Sequence, residues 1–262
     1  MDKKYKLTEE SINYCSKILY HIEALKDFGD VKKGDKGGYV ENEDNLSQEG
    51  DCWVYNNAKV YDCAYVCDNA KICGNARVYD NAKVFDNAQV SDNALVYDNA
   101  RVCSNALVFG NAKVYGDAYV WGNAEVYDNV EIGDDVIICD NAEVFGNAKV
   151  YGNAKVFGNA QVYNNAKVWD NAKVYCDAEV CGNAQISGNA EIKNNTDYIV
   201  FKNWWSSGRY FTWTKSNNMW AVGCFYGTGE ELIKKAYKDS ELSGKEYERV
   251  VKYVESILQD SK

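Results

Sequence analysis

A six-residue unit repeats without interruption from Trp53 to Asn195, and it leaves the chain few ways to fold. Stepping by six from Val54 to Ile192 gives 24 positions, and every one is Val or Ile. Four residues after each stands Ala in 21 cases, and three residues after each stands Asn or Asp in 23. A β-branched residue between outward polar or aromatic neighbours makes a short strand with one side chain facing in. The Asp/Gly-Asn pair that follows predicts a corner, because Asn and Gly tolerate the left-handed backbone of a sharp turn. Ala is small enough to face inward where the corner narrows the interior. Units this short cannot bury their Val rows alone, so they must coil and stack on one another. The absence of proline suits such a ladder, in which every backbone N–H is needed.

The Val/Ile-x-Gly/Asp-Asn-Ala-x unit, as in Val78-Tyr79-Asp80-Asn81-Ala82-Lys83, resembles the hexapeptide repeat of left-handed parallel β-helix proteins. That resemblance implies an all-β fold with three hexads per triangular coil. Twenty-four hexads then give about 8 coils, or roughly 38 Å of prism at about 4.8 Å per strand layer.

The period is lost at both ends, which predicts three segments. Residues 1–50 read as an N-terminal capping segment, 51–196 as the β-helix, and 197–262 as a small α+β module. The first segment reads as a β-hairpin leading into the coils, with a helix over Ser11 to Leu25 as the alternative. In the tail, Tyr198–Lys202, Arg209–Lys215 and Met219–Phe225 read as strands, with a turn at Asn217-Asn218. Two helices follow, announced by capping boxes at Thr228 with Glu231 and Ser243 with Glu246. The stretches Ala24 to Gly29, Gly37 to Val40 and Val222 to Thr228 are similar to those of a hexapeptide-repeat group found in phages and their bacterial hosts. A phage origin is implied by that likeness alone.

The chemistry expected of the best-known hexapeptide proteins finds little to work with. Acyltransferases of this type, which the repeat resembles, use a coil histidine as base, usually beside an interrupting loop. Here no loop interrupts the coils, and the single histidine, His21, lies outside them and reads as a solvated strand residue. The related three-His zinc hydratases are excluded on the same ground, and no metal ligand set or cofactor site is expected. The ten cysteines contain no Cys-x-x-Cys pair. Cys67, Cys103 and Cys139 recur every 36 residues on one wall, about 9–10 Å apart by strand spacing and too far for disulfides. They read as apolar wall residues of a reduced, cytoplasmic protein. A net charge of -10 argues against a duplex nucleic acid coat, and no apolar run is long enough to span a membrane.

What remains is the surface. The second wall presents Tyr61, Tyr79, Tyr97, Tyr115, Tyr151 and Trp169, broken at Gly133, beside Lys113, Lys149 and Lys167. The first wall sets Tyr127, Phe145 and Tyr163 beside Glu125, Glu143 and Glu179. The third mixes Cys with Phe85, Trp121 and Phe157, beside Lys83, Arg101, Lys155 and Lys173. These ladders read either as strand packing or as an interface. Opposite charge on the first and second walls predicts contact between copies and a homotrimer, because the walls of one prism cannot touch. In the tail, Trp204, Trp205, Trp213 and Trp220 crowd around Ser207 and Arg209. They read either as the core of a small module or as a site that stacks a base and holds a phosphate.

The function expected from this is non-enzymatic binding on an oligomeric scaffold: a phage protein that sequesters a small anionic ligand, such as a nucleotide immune signal of the host. The alternative is a structural or adaptor protein that binds another protein through its ladders. A degenerate acyltransferase ranks last.

Overall fold

The computed structural model describes residues 3–260. Strands β1 (Tyr5–Tyr14), β2 (Lys17–Ala24) and β3 (Lys36–Val40) precede the repeats. Strands β4 to β27 follow, one per hexad, from β4 (Trp53–Val54) to β27 (Glu191–Ile192). Each pairs in parallel with the strand three hexads away, so the repeats form three sheets of eight coil strands each, which are the three walls. The chain is a β-helix repeat protein, as expected. Every Val or Ile of the 24-position column is fully buried, and the Ala column packs beside it in one continuous core. At roughly 1.5–3 kcal/mol for each buried side chain before chain entropy, that core stabilises more than any surface feature does.

The corners depart from expectation in one detail. The residue with left-handed backbone is the Asp or Gly, as at Asp80 (φ 55) and Gly110 (φ 71), and not the Asn that follows it. The Asn columns bond along the prism instead. Nδ2 of Asn69, Asn87, Asn105, Asn123 and Asn141 each donates to the Asn Oδ1 of the next coil at 3.0–3.2 Å. That column ends on Asp177.

The count of coils also changes. β3 pairs in parallel with β5 (Lys59–Val60), and Leu46 bridges Val66, so the lead-in supplies most of a ninth coil. Residues 5–24 form the hairpin β1–β2, turning at Cys15 (φ 49) and Ser16 (φ 65), and this hairpin extends the second wall. The helix alternative over Ser11 to Leu25 is thereby excluded.

The tail folds as an antiparallel sheet, β28 (Tyr198–Lys202), β29 (Tyr210–Thr214), β30 (Met219–Val222) and β31 (Phe225–Gly227), covered by α1 (Gly229–Asp239) and α2 (Glu241–Asp260). The capping box of Thr228 and Glu231 opens α1. The second box is not used: Ser243 lies inside α2, where its N–H donates to Ser240 Oγ at 3.1 Å, and Glu246 pairs with Arg249. No described helix is long and apolar enough to cross a membrane.

The tail also closes the open end of the prism. Within each hexad the residues before and after Val donate their N–H groups to the next coil, as Lys83 does to Ala100 and Phe85 to Val102. The last coil has no successor, and side-chain oxygens accept those bonds. Glu179 N donates to Asn195 Oδ1 (2.7 Å), Gln185 N to Thr212 Oγ1 (2.8 Å), Glu191 N to Ser216 Oγ (2.7 Å) and Lys193 N to Asp197 Oδ2 (2.8 Å). An unpaired sheet edge would otherwise recruit another chain.

Candidate functional site: the walls and the Arg209 clefts

The tyrosine column of the second wall is a stack. Tyr61, Tyr79, Tyr97 and Tyr115 follow one another at 5.1, 5.0 and 5.1 Å with nearly parallel rings. The gap at Gly133 has a steric cause, since a Cβ there would meet the Tyr115 ring at 2.6 Å. The first wall stacks in the same way, from Phe109 through Tyr127 and Phe145 to Tyr163 at 4.8–5.0 Å. These rings pair within one chain along 18-residue steps, so strand packing is part of their role.

Two of the three second-wall lysines, Lys113 and Lys149, are paired within the chain, which removes most of the premise of the trimer expectation and leaves Lys167 alone. Glu131 stands between Lys113 and Lys149 on the same wall, 3.5 Å from Lys113 and 2.7 Å from Lys149. The Tyr151 hydroxyl donates to the same carboxylate at 2.7 Å. Lys113 and Lys149 therefore do not wait for Glu125 and Glu143 of another copy. Assigning one sign to each wall leaves out Glu131, which belongs to the same column. The Lys149 and Tyr151 hydrogen bonds hold the pKa of the Glu131 carboxyl down at about 2. A lowered folded-state pKa adds stability above the ordinary value of 4.5, and that stability is lost as pH falls towards 2. Glu131→Gln is expected to flatten the decline of melting temperature over that interval. A decline of unchanged slope would assign it to other carboxylates.

In the tail, the structure divides the tryptophans. Trp213 and Trp220 are buried in the module core with Phe211, Leu232 and Val251, and Trp213 Nε1 donates to Asn218 Oδ1 at 2.9 Å. Neither offers a face to a ligand, because the sheet needs both to fill the space under two helices. Trp205 is half-buried, with its ring edge-on to Tyr247 at 5.2 Å and its Nε1 without a partner. Trp204 is 77% exposed.

Arg209 lines two cavities. One, of about 420 Å³, lies between the sheet and the helices and is bordered by Asn203, Ser207, Lys235, Asp239 and Tyr247. The other, of about 330 Å³, lies on the seam with the last coils and is bordered by Asn165, Lys167, Asn183, Gln185 and Tyr210. The Ser207 hydroxyl accepts the Arg209 backbone N–H at 3.4 Å, which holds the loop in its turn. Buried Asn203 fixes the floor: its Oδ1 accepts from Ser206 N at 2.9 Å and its Nδ2 donates to Tyr247 Oη at 3.2 Å. The Gln185 Oε1 is buried without a partner. Sequence reasoning singles out Arg209, Ser207 and Lys167, but misses Asn203, Gln185, Lys235 and Tyr247. Lys235 and Tyr247 lie on helices that no local motif ties to this loop.

His21 is not a freely solvated strand residue. It is half-buried on β2, its ring lies 4.0 Å from that of Tyr39, and Nδ1 is 2.7 Å from Gly37 O. A carbonyl can only accept, so Nδ1 carries the proton and a neutral ring leaves Nε2 as a base. Burial pushes the thiols of Cys139 up to about 11 and of Cys67 up to about 12, which disfavours the reactive thiolate at both, and all ten cysteines are free.

Comparison with known proteins reaches the coils. The family described as YdcK Beta solenoid repeat matches residues 70–84 and 88–104. The protein named Uncharacterized acetyltransferase YdcK of Escherichia coli (strain K12) is 35% identical over 66 residues, which cover 22% of this chain and 20% of that protein. The chain thus matches about a fifth of that relative's length. Its name overturns the expectation that this chain is not an enzyme, which rested on the missing coil histidine. The phage origin expected from the terminal motifs gains no support from these matches.

Proposed function

We propose that this chain binds a small phosphate-bearing ligand of the nucleotide class at Arg209, and that coenzyme A is the first member of that class to test. One observation carries the reading. Arg209 lines both cavities, with Lys167 on one and Lys235 on the other, and none of the three forms an ion pair among the described residues. A guanidinium fork matches two phosphate oxygens at once, and an ammonium on either side adds charge without demanding geometry. Exposed Trp204 offers a face on which a base can stack. Coenzyme A comes first because the relative is named an acetyltransferase. A host nucleotide signal, expected from the terminal motifs, would occupy the same clefts.

Acyl transfer is a second reading, favoured by the oriented His21 imidazole. The hairpin that carries it adjoins the first coils, and Arg209 adjoins the last. Eight coils span roughly 38 Å, so one small molecule cannot touch both within one chain.

Calorimetric titration with coenzyme A, ADP and AMP tests the first reading. Arg209→Ala is expected to weaken binding about 10- to 100-fold, the worth of hydrogen bonds to a charged group. Equal affinity in the variant, or no binding by wild type at millimolar ligand, ends it. Thiol release from acetyl-CoA tests the second, which survives only if turnover is found and His21→Gln abolishes it.

A further inference from the structure

Of the two cavities that Arg209 lines, one has a buried polar floor. On the seam, Asn165, Lys167, Asn183, Gln185 and Tyr210 are all exposed or half-buried. Between the sheet and the helices, Asn203 is 3% exposed, and Ser243 and Tyr247 are each 7% exposed. Ser243 and Tyr247 stand one turn apart on α2, so both lie on one face of that helix. Tyr247 Oη accepts from Asn203 Nδ2, and no group among the described residues accepts its own proton. The Ser243 N–H is spent on Ser240 Oγ, while Ser243 Oγ has no hydrogen-bond partner among the described residues. Burial raises the Tyr247 phenol above its ordinary pKa, so at neutral pH it keeps its proton and can donate it.

The rim adds charge of both signs. The Lys235 ammonium lies 5.2 Å from the centre of the Phe225 ring, which borders the same cavity. Asp239 stands one turn after Lys235 on α1, also borders the cavity, and forms no ion pair among the described residues. We propose that this cavity is a sugar-phosphate subsite, with the phosphate on Arg209, Lys235, Ser243 and Tyr247 and a sugar hydroxyl on Asp239. The assignment rests on the phosphate-ligand reading above and selects one of its two cavities. Phosphate oxygens take the four donor side chains. A carboxylate can only accept, so the ligand must bring it a proton, which a sugar hydroxyl has and a phosphate dianion lacks. Hydroxyls already fixed in a buried floor need little ordering on binding, whereas the exposed side chains of the seam must be immobilised.

Calorimetric titration of the full chain with AMP and 2′,3′-dideoxy-AMP is the test. Ser243→Ala, which removes no side-chain hydrogen bond within the protein, is expected to weaken AMP about 10- to 100-fold, and so is Tyr247→Phe. Wild type is expected to prefer AMP to the dideoxy compound, and Asp239→Ala to remove that preference, a change that a merely structural role would not produce. Wild-type affinity in both hydroxyl variants, with binding lost in Arg209→Ala, would overturn the subsite and leave the Arg209 reading standing. Equal affinity of wild type for the two nucleotides would remove the role of Asp239 and overturn the subsite as well. No binding of AMP by wild type would end both.

Discussion

Val114→Asp is expected to cause the largest fall in melting temperature of any substitution proposed for this chain, and to melt the middle coils first. Val114 is fully buried between Val96 and Ile132 of the adjoining coils. A carboxylate there has no cation and no donor within the dry interior, so it must either unfold its surroundings or stay protonated at a cost of several kcal/mol. The neighbours cannot absorb it, because each coil is held by the coil above and the coil below. Lys155→Asp is the control. Lys155 faces outward from the third wall and is exposed, with Val156 beside it in the core. Its substitution is expected to shift the midpoint little, as surface changes usually do. Calorimetry with hydrogen exchange at the coil amides distinguishes the two. Similar losses in both variants would mean that the inward and outward columns have been exchanged.

Thr212→Val is expected to have the second-largest effect, through the end of the prism. Thr212 is fully buried, and its hydroxyl accepts the Gln185 N–H that a further coil would have taken. Valine keeps the shape and removes the acceptor, leaving a part-buried donor unpaired against the fully buried residue 212, at a cost of about 1–3 kcal/mol. Ser216→Ala removes the equivalent acceptor for Glu191 N, but at an exposed position where water replaces it. The loss there is expected to be several-fold smaller. Faster exchange of the Gln185 amide in Thr212→Val, with an intact middle of the prism, is the signature of an opened end. Equal effects of the two substitutions would remove the capping account of the tail. Light scattering adds a second readout, since an uncovered edge invites pairing with another chain.

The site was less legible than the fold, and particular residues show why. Trp213 and Trp220 are indistinguishable from Trp204 and Trp205 in the sequence, because an aromatic residue near an arginine fits a core and a ligand platform equally. Which face each ring presents depends on two helices that begin after residue 228. The pairing of Lys113 and Lys149 with Glu131 was within reach, since an 18-residue step alone brings them together. Lys4 beside Cys52 was beyond reach: no period relates them, and only the folding of the lead-in over the first coil places one on the other.

Local periodicity and side-chain size determined the coils. A β-branched residue every six positions, small residues at the corners and no insertions admit one stacking register, and each hexad repeats the decision independently. The two ends and the Arg209 clefts were decided by tertiary structure. A prism end presents a particular set of unpaired donors and acceptors, and Thr212, Ser216 and Lys4, which satisfy them, come from segments with no period of their own. Which oxygen meets Gln185 N, and which carbonyls enclose Lys4, depends on three-dimensional closure that no window of sequence contains.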